Sequence, residues 1–430
     1  MTADITYRAN TIRDLDRLLD RGGFDADTKL RTRAVATVLP FRTNTYVTDE
    51  LIDWDRAPDD PLFRLVFPQP DMLGPDELAT MTALLRDGAD RKRTEAAARE
   101  IRRRMNPHPA GQTDLNVPTP DGRPLAGVQH KYRETLLFFP RRGQTCHAYC
   151  TYCFRWAQFV GESDLKIATD DVAAVTGYLR DHTEITDVLI TGGDPLIMST
   201  DNLRQYIEPL LAPDLAHVRT IRLGTKALAY WPYRVTTGPD ADDLCRLFEQ
   251  VVAAGRHLAV MGHFTHPNEL RAPEARAAVR RVVGTGAVVR TQAPLVRGIN
   301  DDADDWAELW REAVALGAVP YYMFVERDTG PRRYFEVPLH RAWQIFRDAT
   351  RQVSGLARTA RGPSMSAVLG KVAIDGVATV AGEDVFCLRY LQARDPSWVG
   401  RPFFAKHDPT AAWMSDLVPA LGSEPAYFDN

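Results

Sequence analysis

The stretch Asp187-Val188-Leu189-Ile190-Thr191-Gly192-Gly193-Asp194-Pro195 decides the fold. Its branched, apolar opening reads as a short strand, and the glycine pair followed by Asp-Pro stops that strand in a tight turn. Working outward, an amphipathic helix pattern stands on either side. Upstream it covers Asp170–Arg180, with Thr169 as N-cap, and downstream it begins near Asp201.

The alternation continues in both directions. Thr135–Phe139 is an apolar run upstream. Downstream come strand Thr220–Gly224, helix Asp240–Ala254, strand His257–Gly262 and helix Pro273–Val283. Strand Ala287–Gln292, helix Ala303–Leu316, strand Val319–Val325 and helix Leu339–Val353 complete the series. Six strand–helix units in succession imply right-handed crossovers and a parallel sheet. The expected fold is therefore α/β, a partial TIM-like (β/α)6 barrel, with ligands gathered at the C-terminal ends of its strands.

Residues 1–130 read as a helical N-terminal region, 131–354 as the barrel and 355–430 as a small C-terminal segment. One long helix is expected from Asp76 through Arg104, ended by Asn106-Pro107, then an extended connector from Pro107 to Gly127. In the C-terminal segment Lys371–Ile374 and Val377–Val380 are expected to form a hairpin about Asp375-Gly376. The aromatic tail from Trp398 to Trp413 is expected to pack across the barrel mouth.

With 53 basic and 57 acidic residues among 430, the net charge of −4 implies no bulk attraction to nucleic acid or an anionic membrane. The basic segments Arg91-Lys92-Arg93 and Arg102-Arg103-Arg104 carry Glu95 and Glu100 between them, and read as a solvated helix face rather than an RNA-binding patch. The N-terminus lacks the basic and apolar regions of a signal peptide, and no apolar run reaches the ~18 residues of a membrane span. A cytoplasmic location is expected.

Three of the five cysteines fall in Thr145-Cys146-His147-Ala148-Tyr149-Cys150-Thr151-Tyr152-Cys153-Phe154-Arg155. In a reducing compartment such a cluster points to metal. Three thiolates at C-x3-C-x2-C can hold three irons of a cubane and leave the fourth open for chemistry. Zinc with His147 as fourth ligand competes, but His147 lies too close to Cys146 in sequence to reach the same tetrahedral ion readily. Cys245 and Cys387 read as plain buried thiols.

This spacing just after the first barrel strand resembles the hallmark of the radical S-adenosylmethionine (SAM) superfamily. The resemblance implies a [4Fe-4S] cluster on Cys146, Cys150 and Cys153 that chelates SAM and cleaves it to a 5′-deoxyadenosyl radical. It assigns Gly192, Gly193 and Asp194 of the glycine turn to SAM, together with His263 in Gly262-His263-Phe264-Thr265-His266-Pro267-Asn268-Glu269 and Gln292 in Arg290-Thr291-Gln292. With Arg297-Gly298-Ile299-Asn300-Asp301 and Pro320-Tyr321-Tyr322, these segments are similar to the lysine 2,3-aminomutase family from about Gly127 to Val372. Family membership would imply an isomerase that moves nitrogen from C2 to C3 of an amino acid. The reaction would use pyridoxal phosphate (PLP) held on a lysine and an electron from a flavodoxin or ferredoxin, and a homo-oligomer is expected.

By position, Arg155 matches the family arginine for the substrate carboxylate, and Lys371 the PLP lysine. Here the family's glycine run before that lysine is replaced, and the spacing from Pro363 is about three residues longer. Where lysine-specific members place aspartates for the distal ammonium, this chain has Arg327 and a position near Arg361. That exchange would favour an anionic or neutral distal group such as that of glutamate. A slip of one residue would instead present Glu326 or Asp328. The family's C-terminal cysteine pair is absent, so no structural zinc is expected. A PLP-independent dehydratase, epimerase or other rearrangement enzyme on the same barrel is the alternative. A non-enzymatic iron–sulfur regulator binding RNA through the basic helix is a more distant one.

Overall fold

The computed structural model describes residues 6–107, 115–161 and 165–428, so part of the expected connector, residues 108–114, lies outside them. Two short strands, β1 (Ala9–Thr11) and β2 (Arg42–Asn44), pair antiparallel near the N-terminus. The other strands form one twelve-stranded sheet. It begins with β3 (Val128–Tyr132), antiparallel to β4 (Thr135–Phe138). Then β5 (Asp187–Ile190), β6 (Thr220–Thr225), β7 (His257–His263), β8 (Val288–Leu295), β9 (Val319–Val325) and β10 (Arg361–Ser366) each pair parallel with the strand before. The antiparallel strands β11 (Gly370–Val380), β12 (Glu383–Ala393), β13 (Pro402–Lys406) and β14 (Pro419–Ala420) finish it. Strands β3 and β14 are the two edges, so the barrel is partial.

Six helices follow β4 to β9 in turn: Val172–Asp181, Thr200–Ile207, Ala241–Ala253, Pro273–Gly284, Ala303–Ala315 and Leu339–Arg351. The third shows why they form and where they lie. Leu244, Leu247, Phe248 and Val251 recur at helical spacing and are all buried. Each such side chain removed from water stabilises by roughly 1.5–3 kcal/mol. The first helix is capped by Asp171, whose side chain accepts from Ala174 N, while Thr169 supports the turn by accepting from Asp171 N.

Several expectations are corrected. The single helix from Asp76 to Arg104 is two, Pro75–Arg86 and Arg91–Met105, because Asp90 caps a new start by accepting from Arg93 N. The second helix is basic, but Arg102, Arg103 and Arg104 pair with Glu95, Glu100 and Glu77. The parallel run extends one strand further than six, through β10. Asp375-Gly376 does not turn the chain. It lies inside β11, where the register against β12 shifts, and the hairpin turns instead at Ala381-Gly382, both at positive φ. The tail forms a second core rather than a simple cover: Met365, Ile374, Phe386, Tyr390, Phe403 and Trp413 bury one another against the antiparallel strands. No helix among the described residues is long and apolar enough to cross a membrane.

Candidate active site

The cysteine loop leaves the C-terminal end of β4 and is held from two sides. From the N-terminal region, Tyr149 N donates to Arg42 O at 2.8 Å and Thr151 N to Leu65 O at 2.9 Å. The His147 carbonyl accepts from the Tyr7 hydroxyl at 2.9 Å and from Asn44 Nδ2 at 3.1 Å. From β5, Asp194 N donates to Gly143 O at 3.0 Å and Thr145 O at 2.7 Å. That approach is why the turn needs glycines. A Cβ on Gly193 would run into the backbone of Thr145, and one on Gly192, at φ +130°, into the side chain of Gln144. Thus the turn assigned to SAM by resemblance also seats the cysteines.

Burial raises the thiol pKa of Cys146, Cys150 and Cys153, and Cys146 and Cys153 are raised further by the charges of their neighbouring cysteines. Bringing three thiolates together here calls for a metal to replace their protons. His147 packs its ring edge-on against Tyr7, and burial pushes its pKa down to about 3. Among the described residues no group of three or more His, Cys, Asp or Glu gathers as a single-ion site would. A cubane asks for something else, one thiolate per iron.

The neighbouring strand ends form a polar rim. Asp194 is buried, and its carboxylate accepts from Leu196 N, Lys226 N and the Thr225 hydroxyl at 2.7–2.9 Å, so it organises the turn. His263 and Gln292 meet each other through Nε2 and Nε2 at 2.9 Å. Burial, with Lys226 nearby, pushes the His263 pKa down to about 3, so the ring is neutral and accepts from the Gln292 amide. Glu269 accepts from Thr265 N and His266 N and pairs with Lys226 at 2.6 Å. Asn300 ties β7 to β8 by donating to Thr265 O and Pro294 O. These two motif residues are joints of the barrel.

Beside this rim lies a cavity of about 220 Å³ lined by Lys131, Arg155, Arg222, Arg327, Lys371 and Arg394, with no carboxylate among the described residues of its lining. Asn116, Gln129, Tyr132, Gln392 and the loop 366–368 complete much of its wall. Lys371 reaches it because β11 returns antiparallel to β10, setting Lys371 opposite Ser366 at the C-terminal end of the barrel. Its amine lies 4.1 Å from the Tyr322 ring centroid, and burial with nearby Arg222 and Arg361 pulls its pKa down to about 7. Such an amine has a free lone pair near neutral pH, as the residue that would hold PLP requires. The surrounding cations suit the phosphate of that cofactor, so the residues present fit the group.

The Arg155 guanidinium carbon lies 4.6 Å from the centre of the Phe139 ring and 4.9 Å from that of Phe154, and burial lowers its pKa only to about 10, so it stays charged. Arg327 lies over Phe154 and Trp413, and its Nε is buried without a hydrogen bond, 3.9 Å from Asp328. Neither Glu326 nor Asp328 lines the cavity. Burial pushes the Glu326 carboxyl well above the usual range, against the opposing pull of Arg327. Arg361 is a correction: its guanidinium does not line the cavity but stacks on Tyr321 and Tyr322, 4.5 and 4.3 Å away, and reaches the site only through its effect on Lys371.

Sequence reasoning missed Lys131, Arg222 and Arg394. Lys131 donates to Ala367 O, and Arg394 donates to Val368 O and Asn116, pinning the loop before Lys371. Burial and the charges of Arg327, Arg394 and Lys371 pull Lys131 down to about 6. Arg222 pairs with Asp187 at 2.7 Å, and its position inside β6 was the one available signal. Nothing local marks the other two, since only the closing sheet brings them together.

A protein of Aquifex aeolicus named "Putative L-lysine 2,3-aminomutase" is 34% identical over 378 residues, covering 88% of this chain and 87% of its own length. An L-lysine 2,3-aminomutase of Fusobacterium nucleatum is 28% identical over 250 residues, 57% of this chain and 55% of that protein. A glutamate 2,3-aminomutase of Clostridioides difficile is 28% identical over 234 residues, 54% of this chain and 52% of that protein. The chain thus spans about half the length of these last two. Among solved structures, a radical SAM methyltransferase from Sphaerobacter thermophilus matches with TM-score 0.40 and 19% identity, over 66% of this chain and 92% of that one. No family model matches the chain.

Proposed function

Because the chain belongs to the lysine 2,3-aminomutase family, and is thus a radical SAM isomerase, we propose that it moves an amino group from C2 to C3 of an amino acid whose side chain ends in an anion. The observation that carries this reading is the lining of the cavity, four arginines and two lysines with no carboxylate among the described residues. An ammonium there would be a buried like charge, which costs several kcal/mol, whereas a carboxylate gains partners.

Cys146, Cys150 and Cys153 would hold the iron–sulfur cluster. The glycine turn and the His263–Gln292 pair would flank SAM, and Asp194 would act through the turn it stabilises. Lys371 would hold PLP, with Arg394 supplying positive charge and Lys131 a hydrogen-bond donor for its phosphate. When bound, the cluster and SAM supply a carbon radical, and PLP supplies a conjugated ring that spreads the unpaired spin. A flavodoxin or ferredoxin is the expected electron source. The protein's own share is to orient and to exclude water. Arg155, packed beside two aromatic rings, would present a fork to the substrate carboxylate. Arg327, with an unsatisfied Nε, is the candidate for the distal anion.

The test is anaerobic incubation with SAM, dithionite and a mixture of glutamate, aspartate, lysine and arginine, with mass spectrometry of the products. A β-amino isomer of a dicarboxylic acid is the expected product. Arg327→Asp should cut its formation on the order of 100-fold or more, since stranding a buried charge costs about 3–5 kcal/mol. Turnover of lysine alone, with every dicarboxylic acid untouched, would sink the anionic reading.

A further inference from the structure

Tyr230 lies beside the cysteine loop, and nothing so far gives its hydroxyl a purpose. The residue follows β6 on a short helix, Ala227–Tyr230, and is 1% exposed. Its main-chain carbonyl accepts from Asn44 Nδ2 at 3.0 Å, and its amide donates to Lys226 O at 2.8 Å, so the backbone is fixed from both sides. The phenol oxygen is 3.4 Å from Cys150 Sγ. A buried phenol needs a hydrogen-bond partner, and the sulfur provides one.

The ring is held as firmly as the backbone. Lys226 Nζ lies 4.6 Å from its centroid and is itself anchored by Glu269 at 2.6 Å and Thr265 Oγ1 at 3.1 Å. In a metal-free chain either the thiol or the phenol could be the donor. Once Cys150 is bound to iron its sulfur has no proton, so the tyrosine must donate.

Resting on the reading that Cys150 holds a cluster iron, we propose that Tyr230 is a positioning residue for electron entry. Its O–H donates to the Cys150 sulfur and raises the potential at which the cluster accepts its single electron. The reason is electrostatic. Reduction adds one negative charge, shared with the sulfurs, and a donor aimed at sulfur stabilises the reduced form more than the oxidised one. The ion pair of Lys226 and Glu269 keeps the donor aimed. The electron comes from the external reductant, no bond is broken at Tyr230, and its proton stays on oxygen.

The experiment compares full-length wild-type and Tyr230→Phe proteins after anaerobic reconstitution. Iron and sulfide per chain are measured first, then the midpoint by a dithionite titration followed by electron paramagnetic resonance. The variant should load as the wild type does. Its ratio of reduced to oxidised cluster at a given potential should fall about tenfold, a midpoint lower by about 59 mV for one electron. An unmoved midpoint in a fully loaded variant overturns the proposal, because loss of packing alone would not keep the cluster while shifting its potential. Should Tyr230→Phe load poorly, 3-fluorotyrosine at the same position keeps the bond and makes a stronger donor. The midpoint should then rise, and a midpoint equal to wild type again overturns the proposal. If wild-type protein takes up no cluster, the failure belongs to the parent reading instead.

Discussion

An ammonium buried among other cations and away from water gives up its proton far more readily than one in solvent. Lys371 is in that position, and its pKa falls to about 7 from the ordinary lysine value. The sign of the pH effect follows. The neutral, nucleophilic amine is scarce below about 7 and dominant above it, so capture of PLP should accelerate through that region and then level off. Stopped-flow absorbance of the visible band, with borohydride sensitivity as control, measures it, and Lys371→Ala should show no such band. A rate that keeps rising toward pH ~10.4, the value of a solvated lysine, would contradict the burial argument. In the sequence the residue was picked out by its place after Pro363, although the glycine run is replaced and the spacing is about three residues longer than the family's. The place of Arg361 was not legible, because a guanidinium that stacks on Tyr321 looks in one dimension like one that enters a cavity.

At the level of elements, most of the barrel could be read directly, since the period of the apolar residues switches cleanly between strand and helix. The strand at Val319–Val325 has the limits expected of it, and the six helices lie where their patterns put them. The hairpin failed for a physical reason. Asp-Gly is a strong turn signal, yet inside a long strand the same dipeptide can be absorbed as a bulge when a partner strand continues past it, as β12 does. The glycine turn after β5 makes its own prediction. Gly193→Ala places a methyl against the Thr145 backbone, which must move and take Cys146 with it. Overpacking of this kind costs typically about 1–3 kcal/mol. Chemical denaturation should show that loss, and iron content after reconstitution should fall with it. A variant that loads iron normally at undiminished stability would mean that the loop is slack.

For the molecule as a whole, the cavity is where distant parts of the chain must agree. Lys131 comes from β3, Arg155 from the cysteine loop, and Lys371 and Arg394 from the last third of the sequence. A chamber lined by four arginines and two lysines should be stabilised by anions before any catalysis. Inorganic phosphate should therefore raise the Tm of protein stripped of PLP, by up to about 2.7 kcal/mol of added stability at a hundred times its Kd. Chloride at matched ionic strength should do much less, and Lys131→Gln with Arg394→Gln should blunt the phosphate effect. Equal stabilisation by chloride would point to general screening. Arg155, Arg327 and Lys371 were singled out in the sequence, but their gathering with Lys131, Arg222 and Arg394 was not, because the net charge of −4 averages away a local concentration that only the fold creates.

The sheet has one more property. From β3 to β14 every strand lies beside its predecessor in the chain. A ribosome therefore delivers each strand just after the one it must join, and the sheet can be laid down progressively as synthesis proceeds, with little need to wait for remote pieces. The bond from Lys131 to Ala367 breaks that order, because it spans 236 positions. A nascent chain can therefore possess nearly all its architecture and still have no chamber to fill. Cofactor loading becomes a late event, gated by emergence of the final third from the exit tunnel.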